Sequence, residues 1–148
     1  ADAIKPLLAA YAAFYRDPWP EAAVQTRAFQ LSWEITATEP DAAPLFFNAL
    51  KAGPLPGYLM EAARRQTLVH LTLRMWRTGK PVSGEGFALL EPWPNWNRDS
   101  LKDRYTFYKS TGLGDVDRAR ADLEEFLAAE GGAFNRGLEA PPKPTAAR

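Results

Sequence analysis

The segment from Thr67 to Phe87, TLVHLTLRMWRTGKPVSGEGF, constrains the fold more than any other part of the chain. From Thr67 to Arg77 apolar and polar side chains alternate, which is the period of a half-buried strand. The alternation places four apolar residues on one face, namely Val69, Leu71, Leu73 and Met75. On the opposite face it places His70, Thr72, Arg74 and Trp76.

The residues that follow favour a turn and a returning strand. Thr78-Gly79-Lys80-Pro81 are typical of turns, and residues 82–91 can return as the partner strand. The alternative is one long helix over 56–78, in which the apolar residues form two stripes and Arg64 falls inside the second. Such a helix would have to be buried on two sides. We therefore expect a hairpin with strands 67–77 and 82–91.

The remaining elements complete a predicted α+β fold. Apolar residues at helical spacing predict helices over 3–16, 41–52, 56–66 and 115–130. Apolar residues alternate with polar ones from Phe29 to Thr36 and predict a strand over 27–37, whose apolar side is formed by Phe29, Leu31, Trp33 and Ile35. RYTFYK at 104–109 is compatible with a further strand or with a helix. The predicted architecture is a small antiparallel sheet with the helices packed on one face. The alternative fold class is an all-α bundle.

Length and composition predict one domain. The chain has 148 residues, of which 46% are hydrophobic and 24% charged, and these values are ordinary for a soluble protein. We expect a single globular domain over 1–136 and a flexible, Pro- and Ala-rich tail over 137–148. No apolar run approaches the ~20 residues that cross a bilayer, so no membrane insertion is expected. A cytoplasmic location rests on base rate alone, and the start at Ala1 rather than Met leaves secretion open.

The residue types limit the chemistry of the chain. The absence of cysteine excludes disulfides and thiolate ligands, and a single histidine excludes a site built from several histidines. We expect no metal and no cofactor. In an enzyme the general base would be His70, or a buried carboxylate such as Glu34 or Glu91. Ser83–Gly86 and Gly112–Gly114 lack the spacing of a nucleophile elbow, a phosphate loop or a dinucleotide-binding motif.

Basic and aromatic residues concentrate in two segments. The net charge is zero, but residues 51–80 carry a single acid, Glu61, beside Lys51, Arg64, Arg65, Arg74, Arg77 and Lys80. EPWPNWNRD at 91–99 cannot form a helix or a central strand because of its prolines. Its indoles either cover the core or form an exposed platform. The predicted binding residues are Arg74, Trp76, Arg77, Lys80, Trp93, Trp96 and Arg98.

These features favour a non-catalytic binding or interaction domain that contacts its partner through the basic hairpin and the Trp-rich loop. Trp and Arg are enriched at interface hot spots, and no assembled catalytic set is recognisable. The expected partner is another protein, with nucleic acid or a small ligand as other possibilities. Two alternative functions stay open: a small-substrate enzyme with His70 as general base, and a single-stranded nucleic-acid-binding protein.

Overall fold

The computed structural model describes residues 3–17, 21–55, 57–91 and 93–135, and within them the regular secondary structure is helical. The α-helices are α1 (Ile4–Phe14), α2 (Ala22–Thr38), α3 (Ala43–Leu50), α4 (Tyr58–Arg77), α5 (Glu85–Ala88), α6 (Arg98–Thr111) and α7 (Val116–Asn135). A 3-10 turn, Pro40–Ala42, joins α2 to α3.

The predicted α+β fold class is wrong, because the structure contains no strand among the residues just given. The predicted strands 27–37 and 67–77 lie inside α2 and α4, and 82–91 contains the short helix α5. The segment 104–109, for which a strand or a helix was open, lies inside α6. The hairpin and the sheet therefore do not form. The described part of the chain has the all-α architecture that was the alternative.

Four predicted helices correspond to observed ones. The ranges 3–16, 41–52 and 115–130 match α1, α3 and α7, and 56–66 covers the first half of α4. These segments carry the clearest helical spacing and end signals, such as Gly53 after α3. The prediction of a flexible tail at 137–148 lies outside the described residues.

Helix α4 runs without interruption through 67–77, which was predicted to be the first strand of a hairpin. It packs against α2, α3 and α5, so it is buried on more than one side, as its two apolar stripes require. Thr67 and Thr72 are fully buried, and their hydroxyls donate to the carbonyls of Ala63 and Leu68, both at 2.8 Å. Hydrogen bonds to the preceding turn thus allow polar residues on the buried side of a helix, and this produced the misleading alternation.

The same effect hides the helical period of α2. Its buried residues recur at helical spacing and are Gln25, Ala28, Phe29, Ser32 and Thr36. Three of these five side chains are polar. The hydroxyl of Ser32 donates to the Phe29 carbonyl at 2.7 Å, and that of Thr36 donates to the Ser32 carbonyl at 2.8 Å. Counting only apolar residues therefore left a period of two.

The contacts divide the chain into two units, one ending at Pro94 and the other beginning at Asn95. The core of the first unit surrounds Tyr11, whose ring lies 6.0–6.1 Å from the rings of Phe14, Phe29 and Phe46. The Tyr11 hydroxyl is buried and donates to the Ala28 carbonyl at 3.0 Å. The expectation of one globular domain over 1–136 stays a prediction.

A glycine sets the distance between α5 and α4. A Cβ atom on Gly86 would lie 2.3 Å from the Thr72 hydroxyl oxygen and 3.0 Å from the Leu68 carbonyl oxygen. The backbone of α5 therefore approaches α4 more closely than any other residue would permit. This contact places the 81–89 segment beside the ends of α3 and α4.

The second unit is a helical hairpin of α6 and α7. The Asn97 side chain accepts a hydrogen bond from the Ser100 amide at 3.0 Å and caps α6, which ends at Gly112 with a φ of 68°. The buried guanidinium of Arg104 pairs with Asp122 of α7 at 2.6 Å. This pair fixes the two helices against each other.

Candidate functional site

Two predicted binding residues, Arg74 and Arg77, lie on one face of α4 together with His70, the candidate general base. His70, Arg74 and Arg77 follow the spacing i, i+4, i+7, so their directions fall within roughly 60° of one another around the helix. Trp76 points roughly 120° away from His70. The helix therefore keeps the histidine and the two arginines together and separates Trp76 from them.

An exposed tryptophan of α2 completes this face. The Trp33 ring stacks on the His70 ring, with the ring centroids 5.0 Å apart and the planes 29° apart, and 39% of Trp33 stays exposed. We call the surface formed by Trp33, His70, Arg74 and Arg77 the α2–α4 face. Sequence reasoning missed Trp33 because it placed this residue on the apolar side of a strand.

Arg74 is held by a backbone contact. Its Nε donates to the Thr36 carbonyl, in the last turn of α2, at 2.6 Å. Carbonyls at the end of a helix lack partners within the helix and carry partial negative charge, so a cation is favourable there. Arg74 thus joins α4 to α2 and is fixed in place, while Arg77 is exposed.

The α2–α4 face carries positive charge from its arginines rather than from its histidine. His70 is exposed at the surface, but partial desolvation of its ring lowers its pKa, and the nearby positive charges of Arg74 and Arg77 lower it further. The imidazole is therefore neutral at pH 7. Glu34 lies roughly 100° around α2 from Trp33 and pairs with Arg27 at 2.9 Å, so it is directed away from the face.

The other predicted binding residues lie elsewhere. Lys80 pairs with Asp41. Trp93, in the first unit, is 85% exposed. In the second unit, the Trp96 ring meets the Phe126 ring edge-on at 6.4 Å.

Arg98 also belongs to the second unit and pairs there with Glu130 of α7 at 2.6 Å. The predicted hairpin surface of Arg74, Trp76, Arg77 and Lys80 does not form, because its two strands are absent from the described residues. Arg74 and Arg77 lie on the α2–α4 face, Lys80 pairs with Asp41, and Trp76 lies on a different side of α4.

The surroundings of His70 bear on the enzyme alternative. In the described ranges no hydrogen bond or ion pair joins His70 to a carboxylate, and its ring neighbour is an indole. No group of three or more His, Asp or Glu side chains that could hold a metal ion occurs among the residues placed by the structure. The geometry around His70 is that of a stacked surface pair.

In comparisons with protein families, curated proteins and solved structures, nothing matches this chain. None of the helices in the described ranges is both long enough and apolar enough to cross a membrane.

Proposed function

We propose that this chain is a non-catalytic interaction domain and that its α2–α4 face binds an acidic segment of a partner protein. The observation that supports this most directly is the stacked pair of Trp33 and His70 beside two arginines on successive turns of α4. Trp and Arg are the residue types most enriched at interface hot spots. Two arginines on one face complement a negatively charged sequence.

The rigidity of the face favours binding. Trp33 is held by its stacking on His70, and Arg74 is held by the Thr36 carbonyl. Side chains that are already ordered lose little conformational entropy when a partner binds. In this arrangement the indole supplies apolar contact area, and Arg77 adds positive charge at an exposed position of the face.

The preference for a protein partner over nucleic acid follows from charge. Affinity for nucleic acid depends on neutralising several phosphates, and the chain has no net charge while the face offers two arginines. An indole with neighbouring guanidinium groups can also stack on bases. The test below therefore includes a single-stranded oligonucleotide.

A labelled synthetic peptide with Glu on one side of a helix and Leu on the other is a suitable probe. Fluorescence anisotropy should show saturable binding of this peptide to the full chain. Arg77→Gln should weaken binding by about three- to tenfold because it removes one charged contact, and Trp33→Ala should weaken it further. Lys5→Gln, which removes an exposed cation of α1, is the matched control and should leave the affinity unchanged.

Circular dichroism of each variant would verify that the helices remain folded. Equal binding by Arg77→Gln and the unsubstituted chain would overturn the proposal. So would tighter binding of a labelled oligothymidylate whose affinity falls steeply with salt, since that response is the mark of phosphate neutralisation.

A further inference from the structure

A cleft in the first unit shares no residue with the α2–α4 face. Its volume is about 650 Å³, and it opens between the end of α3, the loop that follows it, and α5. The lining residues that matter here are Asn48, Lys51, Arg64, Glu85, Ala88 and Leu89. They come from three separate parts of the sequence, and the close approach of Gly86 to α4 brings the last three of the set near α3.

The buried side of the cleft carries a guanidinium. Arg64 is only 3% exposed. Its Nε and Nη2 donate to the Glu61 carboxylate at 2.7 and 2.8 Å, and its Nη1 donates to the Leu50 carbonyl at 2.7 Å. The Tyr15 hydroxyl is a further hydrogen-bonding neighbour of the guanidinium. Since a guanidinium has five N–H groups, at most one is left for another acceptor.

The open side of the cleft carries a weak ion pair. The Lys51 Nζ lies 3.5 Å from a Glu85 carboxylate oxygen, and both side chains are about half exposed. A solvated pair at that distance contributes little stability. An incoming anion can therefore replace Glu85 as the partner of Lys51 at small cost.

The charges of the cleft and its immediate support leave one positive charge over. Lys51 lies beside Glu85, Arg64 pairs with Glu61, and Arg65 Nε also donates to Glu61 at 2.7 Å. Three cationic side chains therefore face two carboxylates. The excess suits a ligand with a single negative charge.

We propose that the cleft binds a small monocarboxylic acid with an apolar body. The carboxylate takes the place of Glu85 beside Lys51 and accepts from the Asn48 amide, on the side of the cleft that Arg64 lines. The apolar body lies against Ala88 and Leu89. Pockets of this volume, with apolar walls and a few convergent polar groups, are the usual form of small-ligand sites.

Hexanoate is the probe, and hexanamide is its uncharged match. Titration of the isotope-labelled full chain with hexanoate, followed by amide NMR, should give saturable shifts at Asn48, Lys51 and Ala88, in the millimolar range expected of so small a ligand. Hexanamide should bind at least about threefold more weakly, because it lacks the charge.

Two variants with opposite expected effects sharpen the test. Lys51→Gln should weaken hexanoate binding by about three- to tenfold, since a charge-assisted contact is lost. Glu85→Gln should strengthen binding by about two- to threefold, because it removes the competing carboxylate and the repulsion of the ligand. Lys5→Gln on α1 controls for a general change in charge.

Three results would overturn the proposal. They are equal binding of hexanoate and hexanamide, weaker hexanoate binding by Glu85→Gln, and no saturable shift at the cleft residues. Because both substituted side chains are about half exposed, neither variant is expected to unfold the chain, and the resonances of the core report this directly. Failure here leaves the proposed α2–α4 interaction untouched, since the two sites share no residue.

Discussion

At the scale of single residues, the Glu61 carboxylate connects several parts of the first unit. It accepts hydrogen bonds from Arg64, from Arg65 and, at 3.0 Å, from the Leu55 amide. Burial alone would raise the pKa of Glu61, but these hydrogen bonds outweigh burial and lower the pKa to about 2. The carboxylate therefore ties the start of α4 to the loop after α3.

Glu61→Gln should lower the free energy of unfolding by about 3 kcal/mol at pH 7, because it leaves the buried charge of Arg64 without its counter-ion. Folding lowers the pKa of Glu61, so its stabilising effect is complete above pH 4.5 and is lost as the pH falls toward 2. The variant should accordingly show a shallower loss of stability in that range.

Urea unfolding at pH 7 and at pH 3 measures both effects. Glu34→Gln is the matched control, since Glu34 is in an exposed pair with Arg27 and its loss should cost about 0.5 kcal/mol or less. Similar values for the two variants would show that the Glu61 network contributes no more than a surface pair.

His70 offers a second residue-level prediction, because it is the only histidine and gives a clean NMR titration. Partial desolvation is the largest cause of its lowered pKa, so Trp33→Ala, which uncovers the ring, should move the pKa up toward 6.5. Arg77→Gln should move it in the same direction by less. An unchanged pKa in Trp33→Ala would contradict the stacked arrangement.

The same shift has a consequence for stability. Because the unfolded chain binds the proton of His70 more readily than the folded chain, stability contributed by neutral His70 is present above pH 6.5 and is lost as the pH falls through the lowered value. Between pH 7.5 and about pH 5, the midpoint temperature of thermal unfolding should therefore fall less steeply in His70→Gln than in the unsubstituted chain. Equal slopes would contradict it.

At the scale of elements, the helices that sequence could predict are those with one apolar stripe. α7 shows such a stripe, with an Asp115 cap that accepts from the Arg118 amide at 2.9 Å. α2 and α4 lack a single continuous apolar stripe. α4 contacts three other helices, and both helices bury hydroxyl side chains that bond to their own backbone. Local periodicity cannot report contacts that depend on which helices surround an element.

The candidate sites divide in the same way. His70, Arg74 and Arg77 could be selected from sequence because they belong to one segment. Trp33 could not, because it joins them only by the packing of α2 on α4. The cleft was equally out of reach, since its lining residues are assembled by the folding of α3 and α5 around α4.

The packing of α5 on α4 gives a prediction for this scale. Gly86→Ala should destabilise the chain by about 1–3 kcal/mol, because the added methyl group would overlap Thr72 and the α4 backbone. Gly53→Ala is the matched control, since a Cβ atom there meets nothing within 4 Å. Urea unfolding compares them, and equal stabilities would show that α5 shifts freely.

At the scale of the whole molecule, the hydrophobic core cluster lies within the first unit. Its fourteen buried members run from Leu7 to Met75, and the unit ends at Pro94. A domain of this size can bury enough apolar surface to fold without further support. The second unit, by contrast, is described as two helices, α6 and α7.

Residues 1–94 alone should therefore keep the helical circular dichroism of α1 to α5 and unfold in one cooperative transition. Residues 95–148 alone should unfold with little cooperativity, because one helical hairpin buries little apolar surface. Urea titration of both fragments beside the full chain provides the comparison. A non-cooperative first fragment would show that its core depends on the rest of the chain.

The sealed position of Tyr11 has a practical result. Burial raises the pKa of its phenol to about 12, and its hydroxyl is engaged with the Ala28 carbonyl. A phenol changes its ultraviolet absorption when it ionises. The absorption of Tyr11 should therefore stay unchanged in mild alkali and change only when strong alkali ionises the buried phenol or unfolds the core. The ultraviolet absorbance of the Tyr11 phenol thus reports whether the centre of the first unit is folded.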